Sequence, residues 1–189
     1  MRLFVAVPLP AAIAAEAASV LPEHPGLRPV APELMHVTLA FLGRVPDERL
    51  PAVVDAARGA SDASPFALTL QGVGRFPSSG APRVAWIGMG EGATEMAALA
   101  DALRRDLAAR GLPFDAKPFR AHVTLARVRE NVARDDLRAI RTIIEGARLR
   151  PLRFTVDALT VMESALSSKG PRYTSRASVA LVPVVGRKA

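Results

Sequence analysis

The sequence predicts an internally duplicated α+β protein built from two similar lobes. Apolar residues alternate in some segments, as in half-buried strands, and recur every three or four residues in others, as in amphipathic helices. The pentapeptide HVTLA occurs twice, at residues 36–40 and 122–126. Each copy falls at the same place in the order helix, HVTLA strand, helix, strand, strand, which indicates a repeated α+β unit.

The first half of the chain begins with an alternating strand and a helix whose first turn contains Pro10. A turn-rich segment, residues 24–33, precedes the first HVTLA strand. The next helix carries apolar residues at i, i+3, i+4 and i+7, with Asp47 as its expected N-cap. Two strands joined by a turn complete this half. In order, the predicted strands and helices cover residues 3–7, 10–21, 36–40, 46–60, 66–76 and 83–89.

The second half repeats the same order of elements. Thr94 is the expected cap of a helix with a leucine-rich apolar side, and Gly111 suits the end of that helix. The second HVTLA strand follows at residues 122–126. The remaining predicted elements are a helix at residues 135–145 and strands at residues 153–162 and 172–182, with a turn at residues 164–171.

Two pairs of repeated sequence features, separated by similar numbers of residues, support the duplication. His36 and His122 are 86 positions apart (122 − 36), and the turn sequences SSGAPR and SSKGPR begin 89 positions apart (167 − 78). Two matches at nearly the same offset favour an internal repeat over chance. We therefore expect a single domain, residues 1–189, made of two pseudo-symmetric halves at about residues 1–92 and 93–189.

Composition limits the class of protein. The chain has 189 residues, half of them apolar, which suits one globular domain without a membrane span. Its net charge of +7 suits a polyanionic partner, but 22 of the 25 basic residues are arginine and they form no long block. Cysteine is absent, which excludes disulfides and thiolate metal sites and fits a cytoplasmic protein. Pro8, Pro10 and Glu16 interrupt the N-terminal apolar run, so we expect folded structure there rather than a signal peptide.

The HVTLA pattern suits a strand that bears chemistry on one face only. Residues two apart in a strand point the same way, so His36, Thr38 and Ala40 are expected on one face and Phe41 on the opposite, core face. The second copy follows the same alternation. Packing accounts for the valine and leucine of both copies, but it gives no reason to place histidine twice in a chain that has only three.

A pseudo-two-fold axis would bring both HVTLA strands to one cleft, with two imidazoles and two hydroxyls. Because histidine titrates near pH 6.5, one ring can act as a base while the other acts as an acid at neutral pH. Such a pair suits in-line displacement at phosphorus. Hydroxyls and a nearby arginine can hold the phosphoryl oxygens. The residues alone do not say which ring has which role, and two histidines without acidic or cysteine neighbours make a poor metal site.

The twin H-x-T-x motifs and their flanks resemble the 2H phosphoesterases. The segments MRLFVAVPLP, ELMHVTLAFLG, PFRAHVTLARV, FTVDALTVMES and RYT are similar to those of bacterial and archaeal RNA 2′,3′-cyclic phosphodiesterases, also called 2′-5′ RNA ligases. The resemblance implies a bilobal fold in which two antiparallel sheets flank a central cleft, with helices outside. It also implies hydrolysis of a terminal 2′,3′-cyclic phosphate on RNA to a 2′-phosphate, without a metal or another cofactor.

Residue roles follow from this resemblance. His36 would protonate the leaving 3′ oxygen, His122 would activate water, and Thr38 and Thr124 would bind the phosphate. Arg127 resembles the phosphate-binding arginine of the family. Strict alternation turns Arg127 away from the histidine face, so the strand must end or bulge there, or the side chain must reach around the edge.

Three further residues are candidate substrate contacts. Phe41 is expected in the core, with stacking on a base as the alternative, and Arg120 and Tyr173 are candidates near the RNA end. His24 lies in a Pro/Gly loop without a threonine two residues later, and it is expected to be a surface residue.

Other functions remain open at this point. The same two rings could exchange roles and join RNA ends by a 2′-5′ bond. A phosphodiesterase for small cyclic nucleotides or ADP-ribose cyclic phosphate is one alternative, and a non-catalytic RNA-binding module is another. We expect RNA with 2′,3′-cyclic phosphate ends as the partner, no membrane association, a monomer and a cytoplasmic location.

Overall fold

The computed structural model describes residues 1–167 and 170–182, and its mixture of helices and antiparallel strands confirms the α+β class. Two short 3₁₀ helices, Pro32–Leu34 and Asp47–Arg49, lie between the main elements. The strands are β1 Arg2–Pro8, β2 Leu27–Pro29, β3 His36–Arg44, β4 Phe66–Phe76, β5 Val84–Met89, β6 Val123–Val128, β7 Leu152–Val156, β8 Ala158–Ser167 and β9 Gly170–Ala180. The α-helices are α1 Ala11–Ala18, α2 Leu50–Ala60, α3 Ala93–Ala109 and α4 Arg134–Gly146.

All strands pair antiparallel in the order β7-β4-β5-β6-β3-β1-β8-β9, and β2 adds to β6. The two expected sheets are therefore two groups of one sheet, which we call the β6 group (β6-β5-β4-β7) and the β3 group (β3-β1-β8-β9). One register pair, Val37 with Val123, joins them. Each group takes strands from both halves of the sequence. The division near residue 92 stays a prediction about the repeat.

The helices cover the sheet face opposite the histidines. Helices α2 and α3 pack against each other and against β3, β8 and β9, while α1 contacts β7 and α4 contacts β4. Their apolar sides are buried as the periodicity predicts; Leu103 and Leu107 of α3 and Ile140 of α4 are fully buried. Each such side chain contributes about 1.5–3 kcal/mol by leaving water. This packing holds β3, one of the two central strands, in place.

Both predicted helix caps are wrong. Asp47 lies in a 3₁₀ turn and makes no cap bond; its carboxylate instead pairs with the N-terminal ammonium at 2.8 Å, and α2 begins only at Leu50. Thr94 lies inside the first turn of α3, because the chain enters the helix from Gly92 in the left-handed conformation (φ 82°). A glycine can adopt this conformation without a steric penalty, and no side chain caps the helix.

Other differences from the predicted elements are local. Helix α1 ends at Ala18, three residues early, and the turn-rich segment contains the short strand β2. The segment at 153–162 divides at Asp157 into β7 and β8. Most of the turn predicted at 164–171 is strand, and its residues 168 and 169 lie outside the described residues. Gly111 has φ 61° just after α3, as its predicted role in ending that helix requires.

Candidate active site

The two HVTLA histidines lie at the junction of the β3 and β6 groups. His36 begins β3, and His122 immediately precedes β6. Each therefore adjoins a member of the Val37–Val123 pair that joins the groups. If this antiparallel register is continued by one residue in each direction, the position of His36 faces that of Thr124. In the same way, the position of His122 faces that of Thr38.

The same β-bulge interrupts both HVTLA strands. Thr38 pairs with Ala6 and Ala40 with Val5, so Leu39 is an extra residue in β3. In β6 the partners of Thr124 and Ala126 are Trp86 and Ala85, which leaves Leu125 as the extra residue. A bulge of this kind reverses the alternation of side chains beyond it.

The bulges decide which residues after HVTLA reach the cavity. Ala40, expected beside His36, is buried with 2% exposure, and Phe41, expected in the core, faces the cavity. Both expectations are wrong because they assumed unbroken alternation. Arg127 occupies the matching place in the second copy and also lines the cavity. Of the three alternatives for Arg127, the bulge is the one observed.

A cavity of about 710 Å³ opens between the two groups and contains both histidines. The candidate site residues that line it are His36, Thr38, Phe41, His122, Thr124, Arg127 and Tyr173. Arg120 does not line it; its guanidinium lies over the Phe76 ring, 5.7 Å from the centroid. His24 also lies elsewhere, half-buried, and its Nδ1 accepts a hydrogen bond from the backbone N–H of Gly26 at 3.0 Å.

Both histidine rings are held in the same way by the backbone. Nδ1 of His36 lies 2.7 Å from the carbonyl oxygen of Leu34, and Nδ1 of His122 lies 2.6 Å from that of Arg120. Because a carbonyl oxygen can only accept, Nδ1 must carry the proton in each pair. In the neutral ring Nε2 is then the nitrogen with a free lone pair. Nε2 of His36 also lies 3.1 Å from Oγ1 of Thr38.

Three aromatic side chains pack against the two histidines, and two of them, Phe4 and Phe76, were not predicted from the sequence. The His36 ring contacts Phe4 at 5.0 Å and Tyr173 at 5.4 Å between centroids. On the other side of the cavity, Phe76 packs edge-on against His122 at 5.2 Å. No motif marks these phenylalanines, but each lies on a strand next to an HVTLA strand or one strand further along the sheet. Such contacts restrict the orientation of the imidazoles.

The environment lowers the pKa of His36. Burial is the main cause, because it penalises the charged ring, and the positive charges of His122 and Arg127 act in the same direction. The hydrogen bond to the Leu34 carbonyl partly opposes them. In the free protein the His36 ring is therefore neutral at pH 7. A phosphate anion beside the ring would favour the protonated form.

The cavity lining is positively charged. Among the described residues that line it are four arginines and no aspartate or glutamate. Three of these arginines, Arg2, Arg28 and Arg129, were not identified from the sequence. The guanidinium of Arg2 lies over the Phe41 ring, 5.0 Å from its centroid. Within the described part of the chain, no ion pair links any of the four to a carboxylate. An anionic ligand therefore meets cations that are not already neutralised.

Residues 1–167 and 170–182 contain no group of three or more His, Cys, Asp or Glu side chains able to hold a metal ion. Among their helices, none combines the length and the apolar character that crossing a bilayer requires.

Sequence comparison identifies related proteins over nearly the whole chain. The family model for the 2′-5′ RNA ligase superfamily matches residues 7–167. An Archaeoglobus fulgidus protein named RNA 2′,3′-cyclic phosphodiesterase is 35% identical over 178 residues, which cover 92% of this chain and 96% of that protein. A Thermus thermophilus protein of the same name is 36% identical over 184 residues, with coverage of 92% and 87%.

Structural comparison agrees with the sequence matches. The crystal structure of a Thermus thermophilus protein superposes with a TM-score of 0.78 and 32% identity, covering 97% of this chain and 100% of the other. Escherichia coli LigT complexed with 3′-AMP superposes with a TM-score of 0.73 and 32% identity, with coverage of 95% and 97%. The bilobal 2H phosphoesterase-like fold expected from the motifs is thus confirmed, and the chain belongs to the 2′-5′ RNA ligase superfamily.

Proposed function

We propose that this protein hydrolyses the 2′,3′-cyclic phosphate at the end of an RNA chain to a 2′-phosphate, with two histidines as acid and base. The observation that carries the proposal is the pair formed by His36 and His122, which line one arginine-rich cavity with Nδ1 bound to a backbone carbonyl in each ring. This arrangement leaves both Nε2 atoms to exchange protons with a substrate. The names of the relatives supply the substrate class.

The proposed reaction is an in-line displacement at phosphorus. Nε2 of His122 takes a proton from water as the water oxygen bonds to phosphorus. The bond from phosphorus to the 3′ oxygen breaks, and Nε2 of His36 gives that oxygen a proton. The products are a 2′-phosphate and a 3′-hydroxyl, and the two rings have exchanged protonation states. Acid–base catalysis of this kind contributes typically 10²–10⁴-fold to a rate.

The lowered pKa of His36 bears on its role as the acid. The free protein holds this ring neutral, so we propose that His36 takes up its proton when the anionic substrate binds. The phosphodiester charge offsets the desolvation of the charged ring and the repulsion from Arg127. A ring that holds its proton weakly also releases it readily to the leaving oxygen. The assignment of acid and base to the two rings remains part of the proposal.

Thr38, Thr124 and Arg127 complete the proposed phosphate site. In the free protein the Thr38 hydroxyl can donate its hydrogen to the unprotonated Nε2 of His36, and when His36 is protonated on substrate binding the same hydroxyl can donate to a phosphoryl oxygen instead. Thr124 lies on the facing strand, and the Arg127 guanidinium lines the same cavity. Hydroxyl and guanidinium donors directed at the phosphoryl oxygens stabilise the charge that redistributes during displacement.

The reverse reaction, the partner and the location complete the proposal. A 5′-hydroxyl in place of water would give 2′-5′ ligation through the same two rings. Hydrolysis should dominate because water is the abundant nucleophile. RNA ends are the proposed partner, the protein is proposed to act as a monomer in the cytoplasm, and light scattering after size exclusion would test the oligomeric state.

The test uses an oligonucleotide that ends in a 2′,3′-cyclic phosphate, incubated with the protein and EDTA. We expect a 2′-phosphate product from the wild type, and a loss of about 10²–10⁴-fold in kcat/KM for His36→Asn and for His122→Asn. His24→Asn is the matched control, because it removes the third histidine outside the cavity and should retain activity. Binding without turnover by the wild type would contradict the proposal. Activity lost in EDTA and restored by a divalent ion would contradict the metal-independent mechanism.

A further inference from the structure

The cavity has chemically different ends, and its arginine-rich end extends beyond the proposed phosphate site. Phe41 and Arg127 occupy equivalent places after the two bulges, so the His36 side ends in an aromatic ring that is covered by the Arg2 guanidinium, and the His122 side ends in an arginine that lies beside other arginines. Arg28 and Arg129 lie at the cationic end, and a smaller neighbouring cavity shares Arg129 and is also lined by Arg83 and Glu130. Within the main cavity, the basic lining therefore extends from Arg127 to Arg28 and Arg129.

Strand β2 brings these arginines together on one face. Arg28 of β2 is the register partner of Arg127 on β6, so their side chains project from the same side of the sheet. Arg129 follows two residues after Arg127, and its backbone N–H bonds the carbonyl of Gly26, which continues the pairing. All three side chains are exposed and line the cavity.

This cluster carries like charges directly opposite each other, which destabilises a sheet. The described residues provide no carboxylate within 4 Å of these three guanidiniums, although most of the salt bridges elsewhere in the protein join an arginine to a carboxylate. One phosphoryl group at the histidines accounts for Arg127 alone. Arg28 and Arg129 thus remain to neutralise another anion further along the cavity.

We infer that Arg28 and Arg129 form a second phosphate subsite, which binds the internucleotide phosphate next to the terminal nucleoside of the RNA. The inference rests on the proposed function, in which Arg127 serves the cyclic phosphate. It makes an oligonucleotide end a better substrate than a cyclic mononucleotide. A nucleotide with a free 5′-phosphate offers similar charge, and the experiment separates the two sources.

Three probes that differ only at the 5′ side of the terminal nucleoside test the subsite. They are cytidine 2′,3′-cyclic phosphate, the same nucleotide with a 5′-phosphate, and a dinucleotide ending in that cyclic phosphate. We expect the wild type to prefer the dinucleotide over the cyclic mononucleotide in kcat/KM by about tenfold or more, since hydrogen bonds to charged groups are worth about 1.5–3 kcal/mol. The double variant Arg28→Gln/Arg129→Gln should bring this ratio close to one.

Two further variants make the result specific. Arg127→Gln should lower kcat/KM for both substrates and leave their ratio unchanged, because Arg127 acts at the reacting phosphate. Arg105→Gln on α3 removes an exposed arginine outside the cavity and should leave the ratio as in the wild type. A wild-type ratio retained by Arg28→Gln/Arg129→Gln would overturn the inference. So would a preference gained from the free 5′-phosphate but not from the dinucleotide.

Binding measurements keep the subsite testable if none of the probes is hydrolysed, an outcome that contradicts only the proposed function. Calorimetry with the dinucleotide ending in a 2′-phosphate should give a steeper dependence of affinity on salt than the corresponding mononucleotide. The difference in slope is expected to be about 0.7 in log–log terms for one phosphate contact on single-stranded nucleic acid. Equal slopes for the two ligands, or equal dinucleotide affinity in the double variant, would refute the subsite.

Discussion

Replacement of Arg127 by glutamine should weaken catalysis and raise the pKa of His36 at the same time. Burial is the main reason that this pKa is low, and the charges of His122 and Arg127 lower it further. Removing the Arg127 charge reduces the repulsion felt by the protonated ring, so the protonated form becomes relatively more stable. The pKa of His36 therefore moves up, towards its ordinary value.

The expected loss of activity follows from the proposed contact to the phosphate. A hydrogen bond to a charged group contributes about 1.5–3 kcal/mol, which corresponds to roughly 10- to 150-fold in kcat/KM. Because the Arg127 side chain is exposed, solvent screening places the expected loss near the lower end, at about 10- to 30-fold.

The assay is a proton NMR titration of the imidazole signals, combined with steady-state kinetics. The chain has three histidines, so the signals can be assigned with His24→Asn and His122→Asn. Arg105→Gln removes a charge outside the cavity and is the control for net charge. An unchanged or lower His36 pKa in Arg127→Gln would refute the electrostatic link between the two residues. Unchanged kcat/KM would refute the phosphate contact.

Three more predictions concern stability and substrate stacking. Gly92→Ala should lower the free energy of unfolding, measured in urea, by about 1–3 kcal/mol, because Gly92 has φ 82° and an added Cβ would lie 2.2 Å from the Ala67 carbonyl oxygen. The control Gly146→Ala places its Cβ with nothing within 4 Å, so it should be neutral or slightly stabilising. The lowered pKa of His36 means that the unfolded ring binds a proton near pH 6.5 while the folded ring does not, so this contribution makes stability fall as the pH drops below about 6.5. The free energy of unfolding, measured in urea between pH 5 and 8, should depend less on pH for His36→Asn than for the wild type. An identical pH dependence would contradict the assignment of this contribution to His36. If a base stacks on the Phe41 ring, Phe41→Ala should weaken binding of the 2′-phosphate product, measured as Kd, by about 1–3 kcal/mol. An abasic analogue of this product is the control and should bind both proteins equally.

Local sequence patterns predicted the repeated elements well. Helix α4 lies within one residue of its predicted limits, and β4 has the predicted limits, because hydrophobic periodicity records which side of an element is buried. The HVTLA strands and the placement of both histidines in one cavity also followed from alternation and pseudo-symmetry.

The parts that escaped prediction depend on partners distant in the sequence. The bulges at Leu39 and Leu125 are mismatches between two strands, so neither HVTLA copy reveals them on its own. Alternation therefore gave the wrong faces to Ala40 and Phe41. Strand β2 has only three residues in a turn-rich segment, and only its pairing with β6 brings Arg28 to the cavity. The entry into α3 depends on a backbone conformation rather than on a capping side chain.

The single Val37–Val123 pair gives the cleft a mechanical property. It is the only point where the two groups of strands share a ladder among the described residues, so it is the natural pivot for any rotation of one group against the other. His36 and His122 adjoin the pivot, whereas Phe41 and Arg129 lie several residues away from it along their chain segments. Opening the cleft would thus widen its mouth while the spacing between the two histidines changes little, so ligands of different bulk could enter without separating the two rings.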